Sequence, residues 1–272
     1  MWYKTLGFSS YPLDPRSNSN LVGVDEIQQK IEDYILQGNM CLLCGFTGSG
    51  KTSMLKRISR SSNVKQFEFI FISADGVRRD SDIDDLIWDK RSFLQRLLRK
   101  KPRNLVILLD ECHLANRILT ESIKSKWNVQ YEDGTKAIQS VVVSQIEDNL
   151  GTNFSGSFAD RLGKRIIVMP KLSENHLQEV LQLRLNNGKV NYYNMFEDDA
   201  ITLLTDSADG SVRQLLEYTD AVFSHHEKID SGNPLLNPDY RISKEAVFNI
   251  LQASQLVSLD RFARKESFKE VL

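Results

Sequence analysis

Residues 45–52 read Gly-Phe-Thr-Gly-Ser-Gly-Lys-Thr and follow directly on the apolar run Met-Cys-Leu-Leu-Cys at 40–44. No other stretch restricts the fold so strongly. Glycines at 45, 48 and 50 let successive backbone N–H groups turn inward and approach an anion without Cβ clashes. A helix opening near Gly50 adds its positive end to the same cradle. The spacing G-x-x-x-x-G-K-T predicts a phosphate loop between a buried strand and a helix. In it Gly45, Thr47, Gly48, Ser49, Gly50, Lys51, Thr52 and Ser53 bind the nucleotide, Lys51 reaches the β- and γ-phosphates, and the Thr52 hydroxyl ligates Mg²⁺.

A second constraint is the alternation of strand and helix patterns. Residues 25–38 place Ile27, Ile31, Tyr34 and Ile35 at helical spacing and stop at Gly38. Further strands are expected in Gln66–Ala74, Asn104–Glu111, Lys136–Gln145 and Lys164–Pro170, and helices in residues 50–62 and 82–100. Strand and helix in alternation imply an α/β fold, with a five-stranded, mostly parallel sheet and helices on both faces. The run Leu105–Leu109 ends in Asp110 and Glu111, at the sheet edge where ligands of open α/β sheets bind. Asp110 is placed to hold Mg²⁺, usually through its water, and Glu111 to polarise an attacking water. The alternative for such an acid pair is a solvated strand end. No guanine-reading N-K-x-D is present.

After Pro170 the pattern becomes helical throughout, with Ser173 and Ser243 as N-caps. The expected organisation is an irregular N-terminal segment at 1–20, a nucleotide-binding core at 21–170, a small all-helical lid at 171–256, and a charged helix or tail at 257–272. Lys and Arg total 35 against 36 Asp and Glu, so the net charge of −1 gives no global pull toward nucleic acid or membrane. Three cysteines argue against a disulfide scaffold and fit a reducing, cytoplasmic setting. Cys41 and Cys44 form a C-x-x-C, but its position in an apolar run favours buried strand residues over a redox or metal pair. His113 and the pair His225–His226 lack co-ligands for a metal. No apolar stretch is long enough for a membrane span.

Together these motifs resemble those of the AAA+ ATPases. Leu21–Glu26 resembles the segment that this family places next to the adenine, with Val22 in it. Gly45–Thr52 and Leu105–Glu111 resemble its Walker A and Walker B motifs. Ser144, with Gln145 beside it, stands at the sensor 1 position. Residues 158–166 resemble the arginine-finger segment, with Arg161 and Arg165 both open as the finger. Gly210–Leu216 resembles the sensor 2 helix, with Arg213 as its arginine. Within the family the chain is similar to a cluster of origin-recognition-type initiators, secretion and transposition ATPases of the MuB or ExeA sort, and uncharacterised archaeal proteins of this length.

The resemblance implies ATP and Mg²⁺ as ligands, with ATP between core and lid, and a homo-oligomer, ring or helical, in which a neighbour's arginine completes each site. It also implies action on DNA. The basic run Arg91, Arg96, Arg99, Lys100, Lys101 and Arg103, or the loop at 128–136, would supply nonspecific phosphate contacts. Such a run is also an ordinary solvated face, and acids at Asp80, Asp82, Asp84, Asp85 and Asp89 precede it. The alternative is a switch or remodeller acting on a protein partner without DNA, and a duller one is a protein that binds ATP but hardly turns it over.

Overall fold

The computed structural model describes residues 1–16, 21–74, 80–89, 102–115, 117–147, 154–228, 234–237 and 239–256. The chain divides into two compact units, Ser17–Pro170 and Met1–Arg16 with Lys171–Leu272.

The first unit is built on a five-stranded parallel sheet: β1 Met40–Gly45, β2 Glu68–Ser73, β3 Leu105–Asp110, β4 Ile138–Ile146 and β5 Ile166–Val168. The strand order is β2-β3-β4-β1-β5, with every pairing parallel. Strands β1 and β3 are buried along their whole length, as apolar strands covered on both faces must be. Leu42, Leu105, Ile107, Leu109, Val141 and Val143 form a cluster with Ile83 and Ile87 of α4 (Asp80–Asp89) and with Leu119, Ile123 and Trp127 of α5 (Arg117–Asn128). The side chains alternating with these point the other way. There lie α2 (Asp25–Leu36), which buries Ile31 and Ile35, and α3 (Lys51–Ile58), which buries Met54, Leu55 and Ile58.

Strand β2 lies at one end of the strand order. Its sequence becomes wholly apolar toward the end, yet Phe71 is 41% exposed and only Ile70 and Ile72 are buried, because β2 is an edge strand. The helix expected over 82–100 is described as far as Asp89, and the basic residues Arg91–Lys101 lie outside the described residues. Gly38 does end α2: with φ of 72° its N–H bonds back to the carbonyl of Ile35.

The second unit is helical: α7 Glu174–Arg184, α8 Asp198–Ala208, α9 Val212–Glu227 and α10 Lys244–Ala253. Ser173 and Ser243 accept from the backbone N–H three residues on, and Ser211 caps α9 in the same way. Residues 9–16, expected to be irregular, are turns and bends, yet the first sixteen residues belong with the helical unit. Trp2–Thr5 form a helical turn, α1, and Trp2, Leu6 and Leu13 join the same core as Leu181, Leu204, Phe223 and Leu251. Trp2 stacks on Phe223 at 4.6 Å between centroids, and its indole N–H donates to Asp220 at 2.8 Å.

Candidate active site

Strand order brings the motifs together. β4 lies between β1 and β3, with Leu43 opposite Ser144 and Leu109 opposite Val143. The loop after β1, the acid pair after β3 and the polar end of β4 therefore meet at one sheet edge.

The loop itself needs its glycines. A Cβ on Gly45 would lie 2.9 Å from both Met169 Cβ and Ser49 Oγ. Gly50 caps α3 at φ of 94°, in the left-handed region that side chains rarely adopt. Lys51 is buried, and its ammonium donates to the carbonyls of Gly45 and Phe46 at 3.0 Å each. Ser49 Oγ is buried with no hydrogen-bond partner among the described residues. Such an atom is costly unless an acceptor or donor reaches it. A loop with an orphaned hydroxyl, a buried ammonium and a helix N-terminus in close succession fits a polyphosphate. Ser53 is buried behind the loop, and Thr47 is exposed on it.

Asp110 is 4% exposed and is held from two sides. Thr52 Oγ1 donates to its Oδ2 at 2.7 Å, and the Ser144 hydroxyl donates to its Oδ1. A hydroxyl and a carboxylate in this relation are the hard oxygen donors that suit Mg²⁺. Ser144 and Gln145 are fully buried at the end of β4. Glu111 leaves the sheet at φ of 54°, unusual for a side-chain-bearing residue, and its carboxylate is half-exposed. Local strain of this kind gathers where a side chain must be aimed. His113 Nδ1 lies 3.4 Å from Glu111 Oε2. Neither the turn at Glu111 nor that pairing was readable from spacing.

The two finger candidates are placed differently. Arg165 donates to the carbonyls of Met40, at 2.8 Å, and Arg161. Arg161 is exposed on α6 (Gly156–Leu162), 5.9 Å from the ring centroid of Trp127. Helix α6 is tied to α5 by Ser155 and Ser157, which both donate to Glu121, and by Lys124, which reaches Ser157 Oγ at 2.5 Å. Arg213 is exposed in the first turn of α9, in the helical unit. There a positive charge opposes the helix dipole. Val22 is buried beside the loop's own unit, in the segment leading to α2.

Cys41 and Cys44 are buried free thiols on β1, and burial pushes Cys41 up to about 12. His226 Nδ1 lies 2.8 Å from the carbonyl of Val222. Among the described residues no group of three His, Cys, Asp or Glu side chains converges. The loop at 128–136 is a small closed turn, with a bridge between Gln130 and Lys136. Lys136 sits 4.4 Å over Trp127, and Arg103 pairs with Asp133 at 2.6 Å. Among the described residues no helix is long and apolar enough to cross a membrane.

Comparison with known proteins agrees with this geometry. Residues 41–168 match the ATPase family associated with various cellular activities, AAA. A search of curated proteins returned no match. Among solved structures, a RuvB variant from Thermotoga maritima superposes with a TM-score of 0.59 at 17% identity, over 85% of this chain and 70% of that one. Cdc6p from Pyrobaculum aerophilum gives 0.60 at 18%, over 80% and 65%. The Aeropyrum pernix ORC1 protein in complex with DNA gives 0.59 at 18%, over 89% and 68%. The phosphate loop, the acid pair and the strand between them all fall inside the span, residues 41–168, that matches this ATPase family, so the family match and the geometry of the site support the same activity, the hydrolysis of ATP.

Proposed function

We propose that this ATPase works as a homo-oligomer whose active sites are shared between subunits, and that the assembly acts on DNA in the manner of a loader or motor. The observation that carries the shared site is the contrast between the two arginines. Arg165 is spent on backbone carbonyls of its own subunit, whereas Arg161 stands exposed on a helix held firmly by Glu121 and Lys124. Arg161 is therefore the finger, and Arg165 is a structural residue.

Within a site, the Lys51 ammonium, the Ser49 hydroxyl and the loop amides hold the phosphates. Mg²⁺, when bound, offsets phosphate charge, and Thr52 and Asp110 would hold it. Glu111 orients and polarises the attacking water. Ser144 fixes the Asp110 carboxylate and lies close enough to assist. Phosphoryl transfer relies on such positioning and charge stabilisation. Arg213 keeps the sensor role that the resemblance implies.

For the DNA role the support is the likeness to initiator-type folds, one of them an ORC1 protein in complex with DNA. Within the family we propose the cluster of origin-recognition-type initiators and MuB- or ExeA-type ATPases; the likeness to the Cdc6p and ORC1 structures supports the first of these. The basic residues 91–101 are the contact candidates. The loop at 128–136 is a weaker one, because Lys136 and the neighbouring Arg103 already have partners within the unit. That internal pairing favours the second reading, a switch acting on a protein partner.

Two measurements test the proposal. Mixing Arg161→Ala with Glu111→Gln, each inactive alone, should restore phosphate release, because mixed assemblies pair an intact finger with an intact glutamate. No recovery at any ratio would refute the shared site. Electrophoretic titration on duplex DNA at several salt concentrations should give retention that needs a slowly hydrolysed ATP analogue and falls steeply with salt. No retention at low salt would leave the protein-partner reading.

A further inference from the structure

The helix that carries Arg161 is too short to hold itself in place. α6 runs for 7 residues, Gly156–Leu162, and the position of so short a helix is set by what it packs on rather than by its own propensity. Its apolar side is anchored by Phe158 and Leu162, buried in one cluster with Leu119 and Ile123 of α5. Its polar side is anchored by the carboxylate of Glu121, also on α5. Glu121 accepts from the hydroxyls of Ser155 and Ser157, the latter at 3.1 Å, and pairs with Lys124. Lys124 in turn donates to Ser157 Oγ at 2.5 Å. Ser155 is the N-cap of α6, and its Oγ accepts from the backbone N–H of Phe158 at 3.1 Å. By accepting from that hydroxyl, Glu121 leaves its lone pairs turned to the helix.

These contacts bear on Arg161 through the helix itself. Ser157 and Arg161 stand four residues apart, so they share a face of α6 one turn from each other. On α5, Glu121, Lys124 and Trp127 fall within about a third of the circumference. The two faces meet twice: Ser157 at Glu121 and Lys124, and Arg161 at 5.9 Å from the ring centroid of Trp127. A slide or rotation of α6 along α5 would carry the Arg161 guanidinium with it, and bonds to a charged acceptor resist such a shift better than neutral ones. Among the described residues the hydrogen-bond partners of Glu121 lie on α5 and at the start of α6, and none belongs to the loop at 45–52 or to the acid pair.

We infer that Glu121 is a positioning residue for catalysis in the neighbouring subunit: it fixes α6 so that Arg161 meets the neighbour's nucleotide, and it leaves the site of its own chain unaffected. The inference rests on the reading of Arg161 as the finger of a shared site.

The test is steady-state phosphate release by the full chain, alone and in mixed assemblies. Glu121→Ala lowers kcat by a factor of about ten to a hundred, the scale of a misplaced catalytic group, and leaves KM within about twofold. Mixed with Glu111→Gln, which keeps α6 intact, it releases phosphate faster than the two proteins do separately, because Glu121→Ala sites then receive a well-placed finger. Mixed with Arg161→Ala it shows no such gain, since both proteins are defective in the same part. Glu121→Gln, which keeps an acceptor for the serines, falls between wild type and alanine. Ser157→Ala gives the same pattern in mixtures and carries the test if Glu121→Ala fails to fold. Wild-type turnover in folded Glu121→Ala and Ser157→Ala would overturn the inference. So would a loss that Glu111→Gln does not relieve while Arg161→Ala is relieved by it, because the defect would then lie in the variant's own site. If Arg161→Ala and Glu111→Gln fail to complement each other, the shared-site reading falls, and the inference with it.

Discussion

At the scale of single residues, the Asp110 carboxylate is the centre of the site. Thr52 and Ser144 reach it from a helix and a strand far apart in sequence, and each fixes one of its oxygens. Two neighbours of this centre have separable roles. Lys51→Ala should remove ATP binding, because the loop then has no ammonium to meet phosphate charge. Glu111→Gln should bind ATP as tightly as the wild type and lose turnover by a factor on the order of 10² or more. Equilibrium binding and phosphate release, measured on both variants, separate the two. If Glu111→Gln keeps full turnover, Glu111 does not orient the water. The sequence made the identities of these residues legible, since a glycine pattern and an acid pair carry chemistry in their spacing. It did not make the aim of Glu111 legible. A residue at φ of 54° is set by the turn that follows β3, and no local propensity announces it.

Among elements, the five strands and the helices of the second unit followed from periodicity, whereas α5 and α6 were not expected and exposure was not legible. The pattern of β2 is as apolar as that of a central strand, and only its position at the end of the strand order leaves Phe71 in solvent. Conversely, Gly210 reads in the sequence as part of a Gly-x-x-Arg motif, and the structure supplies the reason for the glycine. At φ of 80°, a Cβ there would lie 2.7 Å from Lys171 Cβ and 3.1 Å from the Leu172 amide nitrogen. Gly210→Ala should therefore destabilise the helical unit by about 1–3 kcal/mol, seen as a lower melting temperature; an unchanged one would show that the connection can shift freely. Between α2 and α3, burial raises the affinity of Glu32 for its proton, but hydrogen bonds from Gln28, Ser61 and Asn63 and the charge of Arg57 more than reverse this. Its carboxyl is thus held below the ordinary range in the folded state. Stability from Glu32 is present above the unfolded value of about 4.3 and is lost as pH falls through the lower folded value. Melting curves of wild type and Glu32→Gln should differ near neutral pH and converge in acid. A gap that stays constant as pH falls would contradict this.

For the whole molecule, the break at Pro170 was readable because strand patterns cease there. The membership of residues 1–16 was not, since nothing local tells that Trp2 stacks on Phe223, more than two hundred positions later. Removing residues 1–16 should cost the helical unit its fold cooperativity while the unit 17–170 keeps its secondary structure. Hydrogen exchange on the shortened chain would detect this as fast exchange confined to α7–α10. Exchange unchanged in those helices would mean that the segment is dispensable. The same interleaving orders events on the ribosome. Trp2, Leu6 and Leu13 leave the exit tunnel well before Phe223 and find it only after some ten to forty seconds of translation, at roughly 5–20 residues per second. During that wait the ATPase unit can complete its sheet, so the newborn chain carries a finished catalytic body between two greasy ends that have not yet met.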